Sequence, residues 1–374
     1  MSSGQAPALL AVAGEASADM HGAKVLSALS EIRPGVEFFG LGGSRMKAAG
    51  LHAVADSDEL NVVGISEVFK GLAGIRRVFN TLLAETGRRK PAAALLMDLP
   101  DFNLRLARRL KKAGVPVVYY LAPQAWAWRR GRVRQIRRRV EHLCVVFPFE
   151  EKFFSGYGVP AEFVGHPLCE DEIPERDPDP GKILLLPGSR RREIQRLLPS
   201  LVGAARLLKE SRPDLRFVLP LAGGLDRGLV QGVIDESGLR VELSDSGARA
   251  ELADASLALA ASGTVTLEAA LASVPLVVVY RVSRTTYTLV RPFFRLDHVC
   301  IVNILAGREL VPELLQGNAK PRKIAQAAIP LLEVGDRRQG VLDGYRDIVA
   351  SLGKASPSRR VAEILDARIS REPE

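Results

Sequence analysis

Apolar and polar positions alternate between two rhythms along the chain. Unbroken apolar runs at 8–13, 92–97, 115–121 and 143–147 are of strand length and show no alternation. Between them, stretches such as 17–29 and 102–113 carry apolar residues every three or four positions. A strand apolar on both faces belongs in a parallel sheet covered by helices. Residues 1–168 therefore predict a βαβα lobe. At 169–182 an acidic, proline-rich stretch reads as a linker. The rhythm then restarts, with strands at 182–186, 215–219, 257–260 and 276–280 and a helix at 191–210, a second lobe over 181–335. The tail, 336–374, reads as helices packing back on the first lobe or on a partner chain, with Pro357 punctuating the last. The predicted fold class is α/β: two Rossmann-like lobes with a cleft between them and a helical C-terminal tail.

Length and composition agree with this division. A chain of 374 residues exceeds what one core usually fills, and 47% hydrophobic with 25% charged residues is ordinary for a soluble enzyme. Cys144, Cys169 and Cys300 are too few for a disulfide framework and lack zinc-site spacing, which favours a reducing cytoplasm. Residues 1–5 show no start of a secretory leader, and the longest apolar runs, as at 274–280, fall far short of a membrane span.

The net charge of +9 points to an anionic partner: nucleic acid, membrane surface or phosphorylated substrate. Seven arginines lie between Arg129 and Arg139, directly after Trp126 and Trp128. No nucleic-acid-binding signature accompanies them. Further aromatics follow at Phe147, Phe149, Phe153 and Phe154, and again within 291–295. Basic residues with aromatics suit an anionic lipid surface, the ordinary alternative being core aromatics beside a solvated basic face.

Three glycine-containing turns join a predicted strand to a helix: Gly14-Glu15-Ala16-Ser17, Pro187-Gly188-Ser189-Arg190 and Ser262-Gly263-Thr264. Each offers free N–H groups and a helix N-terminus to an anion, or simply allows a sharp turn. None fits the dinucleotide or P-loop pattern. Arg190 can grip a diphosphate bidentately, or be one solvated arginine in a basic run. Glu268, one turn into the following helix, can accept from ribose hydroxyls. Asp98 ends a strand in the cleft and is the candidate general base, whereas Asp101 caps the helix after it. Glu15 is a second carboxylate there, and His21 and His166 are lesser candidates. No His/Asp/Glu cluster has metal-site spacing, and no cofactor is expected; charge on a leaving diphosphate falls to Arg190 and the helix ends.

An ordered series of motifs carries a resemblance. It comprises Gly14-Glu15-Ala16-Ser17-Ala18-Asp19, Asp98-Leu99-Pro100-Asp101-Phe102-Asn103, Ala122-Pro123-Gln124-Ala125-Trp126-Ala127-Trp128 and Phe147-Pro148-Phe149-Glu150. It continues with Gly165-His166-Pro167, Leu186-Pro187-Gly188-Ser189-Arg190, the Ser262-to-Glu268 segment and Val302-Asn303-Ile304-Leu305-Ala306-Gly307. In this order, over nearly the whole length, the chain resembles the lipid-A-disaccharide synthases, glycosyltransferases of the two-lobed B-type fold. The resemblance implies transfer from UDP-2,3-diacylglucosamine to 2,3-diacylglucosamine 1-phosphate, inverting and without metal, at the inner face of the inner membrane. It implies Asp98 as base and Arg190, Ser262, Gly263, Thr264 and Glu268 as UDP contacts, with Asn303 near the donor. Gly14, Glu15, Ser17, Gln124 and Trp126 fall to the first-lobe loop or the acceptor, and a homodimer forms by exchange of C-terminal segments. Ala18 departs from the family's usual glycine, which puts the first loop in question if that position needs positive φ. The rival readings are another UDP-sugar transferase or epimerase of cell-envelope synthesis, and a non-catalytic membrane or nucleic-acid binder.

Overall fold

A computed structural model describes residues 6–55, 68–126, 130–171, 177–221, 225–282, 297–353 and 356–370. The chain forms two compact units: Met1–Glu170 with Leu352–Glu374, and Asp171–Ser351.

The first unit carries a seven-stranded, wholly parallel sheet in the order β3-β2-β1-β4-β5-β6-β7. Its strands are β1 (Ala8–Val12), β2 (Glu37–Leu41), β3 (Leu51–Ala55), β4 (Ala93–Met97), β5 (Val117–Tyr120), β6 (His142–Val145) and β7 (Ala161–Phe163). Every residue of β1 and of β4 is buried, as their unbroken apolar runs require. The helices are α1 (Ala16–Ile32), α2 (Ser44–Ala48), α3 (Val68–Arg89), α4 (Pro100–Lys112), α5 (Gly131–Arg139) and α6 (Pro148–Ser155). Helix α4 shows its determinants plainly. Pro100 opens it, Arg109, Lys111 and Lys112 meet the negative end of its dipole, and Leu104, Leu106, Ala107 and Leu110 turn to the core.

The second unit repeats the plan with six parallel strands in the order β10-β9-β8-β11-β12-β13. Its strands are β8 (Lys182–Leu186), β9 (Arg216–Pro220), β10 (Val241–Ser244), β11 (Leu257–Ala261), β12 (Leu276–Tyr280) and β13 (Glu313–Leu315). The helices are α7 (Arg191–Ser211), α8 (Arg227–Ser237), α9 (Ala248–Leu252), α10 (Thr264–Leu271), α11 (Ile301–Ala306), α12 (Pro321–Leu332) and α13 (Asp336–Ser351).

The tail does not behave as one block. Helix α13 stays with the second unit and buries Val341, Tyr345 and Ile348 there. It comes so near its neighbours that a Cβ on Gly344 would stand 2.5 Å from Leu310 Cδ1. Only the last helix, α14 (Pro357–Ile369), joins the first unit, and Pro357 begins it instead of interrupting it. Ser356 and Ser358 hydrogen-bond to Glu170, Arg360 pairs with Glu162 at 2.6 Å, and Arg33 pairs with Asp366 at 2.5 Å. Among the described residues, no helix is long and apolar enough to cross a membrane.

Candidate active site

In the first unit the strand order reverses between β1 and β4, which lie side by side with Val12 opposite Leu96. Loops leaving such a pair part to opposite faces and open a ligand site beyond the strand ends. The Gly14 loop leaves β1 there and Asp98 leaves β4, and the two are joined. The Asp98 carboxylate accepts the N–H of Gly14 at 3.2 and 3.1 Å and that of Glu15 at 2.7 Å. Glu15 is the N-cap of α1, so a carboxylate from one strand holds N–H groups at the entry to the neighbouring helix. Gly14 is required by close approach: a Cβ would stand 2.2 Å from Leu99 Cδ1. Glu15 and Ser17 are exposed.

Asp98 and Leu99 both take left-handed backbone, with φ of 49° and 39°. Each such residue costs about 1–3 kcal/mol and persists only where the surroundings fix it. Asn103, wholly buried, donates from Nδ2 to the carbonyls of Met97 at 2.7 Å and Asp98 at 2.9 Å. The Tyr119 hydroxyl donates to the same Asp98 carbonyl. Burial pushes the Asp98 carboxyl up to about 7, and the Glu15 charge adds to the rise; the N–H groups of Glu15 and Gly14 pull the other way and lose. A carboxylate poised near neutrality is matched to taking a proton.

Several first-unit residues differ from their predicted roles. Asp101 is not the cap of α4: Leu99 holds that position, and Asp101 lies in the first turn, paired with Arg132 at 2.8 Å. Ala18 lies within α1, buried and with no positive φ, so alanine strains nothing in the loop. Asp19, from the same motif, accepts the N–H groups of Gly43 at 2.6 Å, Arg45 at 3.0 Å and Met46 at 3.1 Å, capping α2. Trp126 is 8% exposed and its indole N–H donates to Glu150 at 2.8 Å. Glu150, 1% exposed, also accepts from the N–H groups of Val146 and Phe147, and burial pushes its carboxyl up to about 7. Rings close the cluster: Trp126 edge-on to Phe149 at 4.9 Å, Phe147 stacked on Phe149 at 5.7 Å, and His166 against Phe147 at 5.1 Å.

Three motifs far apart in sequence thus form one wall, and Trp126, Phe147 and Phe154 are core residues instead of a lipid-facing fringe. Gln124 is exposed at its edge, while Trp128 and 291–295 lie outside the described residues. His166 accepts the N–H of Leu168, and burial, with His21 nearby, drops its pKa to about 3.

The second unit reverses in the same way between β8 and β11, with Leu186 opposite Ala260. Gly188 has φ of 105°, and a Cβ there would stand 2.4 Å from Glu193 Oε2. Glu193 accepts the Arg190 N–H at 3.3 Å and makes a loose 3.5 Å pair with its guanidinium, which is 76% exposed. Arg190 is the N-cap of α7 and Gly263 the N-cap of α10. Ser262 donates to the Val299 carbonyl at 3.3 Å, and Thr264 begins α10, exposed. Glu268 is half-buried and makes no hydrogen bond or ion pair among the described residues; burial raises its pKa against the pull of Arg249. Asn303 presents no free amide. It is wholly buried and exchanges two hydrogen bonds with Val311, at 3.0 and 2.9 Å. Glu313, which holds the N–H groups of Val299 and Cys300, was not among the sequence candidates, nor were Asn103 and Tyr119.

Two all-parallel units, each reversing strand order beside a glycine turn, define the glycosyltransferase B-type fold. A solved calicheamicin glycosyltransferase matches with a TM-score of 0.64 at 18% identity, over 99% of this chain and 100% of that one. The UDP-GlcNAc 2-epimerase from Neisseria meningitidis, bound to UDP-GlcNAc, matches with 0.64 at 14% identity, over 96% and 100%. At those identities the likeness is one of fold. The family model described as lipid-A-disaccharide synthetase matches residues 9–365. Proteins named lipid-A-disaccharide synthase from Anaeromyxobacter sp. (strain K) and Myxococcus xanthus (strain DK1622) are 44% and 42% identical, over 95% and 96% of this chain and 96% of each relative. The chain belongs to the lipid-A-disaccharide synthetase family, and is a glycosyltransferase of lipid A synthesis.

Proposed function

We propose that the enzyme transfers the sugar of UDP-2,3-diacylglucosamine to 2,3-diacylglucosamine 1-phosphate, releasing UDP and inverting the anomeric centre. The observation that carries the base assignment is the Asp98 carboxyl, half-desolvated beyond the switch point of the first sheet and raised to about 7. In this reading Asp98 takes the proton of the acceptor's primary hydroxyl while that oxygen bonds to the anomeric carbon. The bond from that carbon to the diphosphate oxygen breaks, and UDP leaves with the electron pair. Arg190 and the N-termini of α7 and α10, with Ser262, Gly263 and Thr264, meet the diphosphate charge. Glu268, whose carboxylate has no hydrogen-bond partner among the described residues, accepts from the ribose, and Asn303 orders the neighbouring turn.

Glu15, Ser17 and Gln124, all exposed, serve the acceptor, and Trp126 shapes the wall behind them. The reading includes a cytoplasmic enzyme resting on the anionic inner face of the inner membrane, with α14 as the segment through which a homodimer forms. The +9 charge supports the membrane contact, and salt-sensitive pelleting with anionic vesicles but not neutral ones tests it. For the reaction, purified protein is given both lipids and the disaccharide is followed by mass spectrometry. Wild type yields disaccharide and UDP; Asp98→Ala yields neither yet binds UDP. Turnover of an unacylated UDP-sugar with no product from the lipid pair would overturn the reading.

A further inference from the structure

Two hollows open side by side on the first unit. The first, of about 640 Å³, is largely apolar, walled by Ile75 and Phe79 of α3 and by Leu99, Pro100 and Phe102 at the head of α4, with the charged Arg76, Asp101 and Arg105 also in its lining. The second, of about 290 Å³, shares Phe79 and Arg105 with it and adds Arg108, Arg109, Lys112 and Arg139. Positions 105, 108, 109 and 112 are spaced three and four apart, so α4 presents them on one face. Among the described residues no carboxylate lines the second hollow, and none of these four side chains makes an ion pair. Arg139 is fixed there by the Leu104 carbonyl at 3.0 Å and Gln135 at 2.8 Å. Like charges at helical spacing repel, and a bound anion relieves them. The apolar hollow meanwhile begins at Leu99, the residue after Asp98.

We propose that the two hollows form one amphiphile site for the acceptor, an acyl chain lying beside Leu99 and Phe102 and the phosphate of the same molecule held by Arg105 and the cations after it. The inference rests on the reading that the acceptor is an acylated sugar phosphate. Such a molecule carries both an apolar chain for one hollow and a dianion for the other. Guanidinium groups grip a phosphate bidentately, and a chain anchored at Leu99 keeps the sugar within reach of Asp98. The first hollow falls in the size range of ligand pockets, about 300–1,000 Å³.

The test compares wild type, the double variant Arg105→Gln with Arg109→Gln, and Phe79→Ser. Each is assayed in detergent micelles with the acceptor phosphate and with its dephosphorylated form. The arginine variant should raise KM for the phosphorylated acceptor roughly tenfold or more, as loss of charge-assisted bonds implies, with donor KM unchanged and no effect on the dephosphorylated acceptor. Phe79→Ser should raise KM for both. Calorimetric titration of short-chain diacylglucosamine 1-phosphate into Asp98→Asn protein, with and without the arginine changes, reads the same site without turnover. A silent wild-type assay with phosphate-dependent titration therefore sinks the proposed reaction and keeps this site. Equal KM for all proteins, equal losses of the arginine variant on both acceptors, or reduced pelleting with anionic vesicles at unchanged acceptor KM would each overturn it, the last marking a bilayer contact.

Discussion

Asn103 holds Asp98 from behind. One amide nitrogen in the first turn of α4 spans the carbonyls of residues 97 and 98, at 2.7 and 2.9 Å, so the strand cannot end in any other direction. The carboxylate in front then meets Gly14 and Glu15, and the left-handed pair 98–99 is pinned on both sides. Asn103→Ala should take the side-chain donor from the Met97 carbonyl and leave the Asp98 carbonyl with Tyr119 alone, costing about 1–3 kcal/mol of stability. It should lower kcat by roughly ten- to a hundredfold, by the general cost of a misplaced reacting group, with UDP affinity unchanged. Asn103→Asp should be worse, since it sets a carboxylate against two carbonyl oxygens. Thermal melts and a kcat-against-Kd comparison check both; normal kcat in either variant would free Asp98 from this support.

The pH profile follows from the Asp98 environment. The active form of a base is the carboxylate, and burial has carried its pKa from 3.8 up to about 7. Activity should therefore fall tenfold per unit of pH below about 7 and level off above it. Glu150, also raised to about 7, loses part of its grip on the Trp126 loop when protonated and steepens the acid limb. Glu150→Gln should return the limb to a slope of one without moving the plateau onset. A kcat/KM profile flat from pH 5 to 9 would exclude Asp98 as the base.

Gly14→Ala tests the other side of the same contact. The added methyl would stand 2.2 Å from Leu99 Cδ1 and 2.7 Å from its Cγ, so either that side chain changes rotamer or the loop shifts. A shifted loop carries with it the N–H groups that hold the carboxylate. Overpacking of this kind costs about 1–3 kcal/mol. The acid limb should shift as well, because the N–H groups of Gly14 and Glu15 are what restrain the pKa of Asp98. A melt lowered by several degrees with an unmoved profile would separate packing from electrostatics.

Much of this was legible beforehand. Both parallel sheets show in the unalternating apolar runs, because burial on two faces leaves no polar positions to confuse the pattern. Asp98, Arg190 and Glu268 stand out as candidates because each lies after a strand end or in the helix that the following turn opens. The supporting residues were not. Asn103 and Tyr119 act through a carbonyl across the sheet, a contact with no local spacing. Trp126 beside seven arginines reads as a membrane fringe until Glu150, twenty-four positions on, is seen to hold its indole. Asp101 reads as a cap because Asp often is one, but the left-handed Leu99 takes that position and the helix begins two residues earlier than the pattern implies.

His166 gives a stability prediction of definite sign. It is buried neutral, its pKa driven from 6.5 down to about 3 by burial and by His21. The unfolded chain protonates it near 6.5 and the folded one does not, so the fold loses stability as pH falls from about 6.5 toward 3. His166→Asn keeps an acceptor for the Leu168 N–H and cannot titrate. The variant should melt close to wild type at pH 7.5 and decline less between pH 6.5 and 4. Parallel declines would assign the acid loss to other groups.

The nucleotide side is best dissected by comparing three candidate residues of the second unit. Arg190 is exposed and only loosely paired with Glu193 at 3.5 Å, so it gives up little on turning to a diphosphate. Arg190→Ala should weaken UDP binding roughly tenfold or more, as for a charge-assisted pair, while UMP, lacking the second phosphate, should lose less. The Glu268 carboxyl, its pKa raised by burial and without a hydrogen-bond partner among the described residues, has unused acceptor capacity. Glu268→Gln should cost affinity for UDP but not for 2′,3′-dideoxy-UDP. Asn303 is committed to Val311, so Asn303→Ala should lower the melting temperature and weaken all three nucleotides alike. Titration of the three variants with the three nucleotides separates a phosphate grip, a ribose contact and a fold support. If Arg190→Ala leaves the UDP constant unmoved, the diphosphate is held elsewhere and the glycine turn after β8 is only a turn.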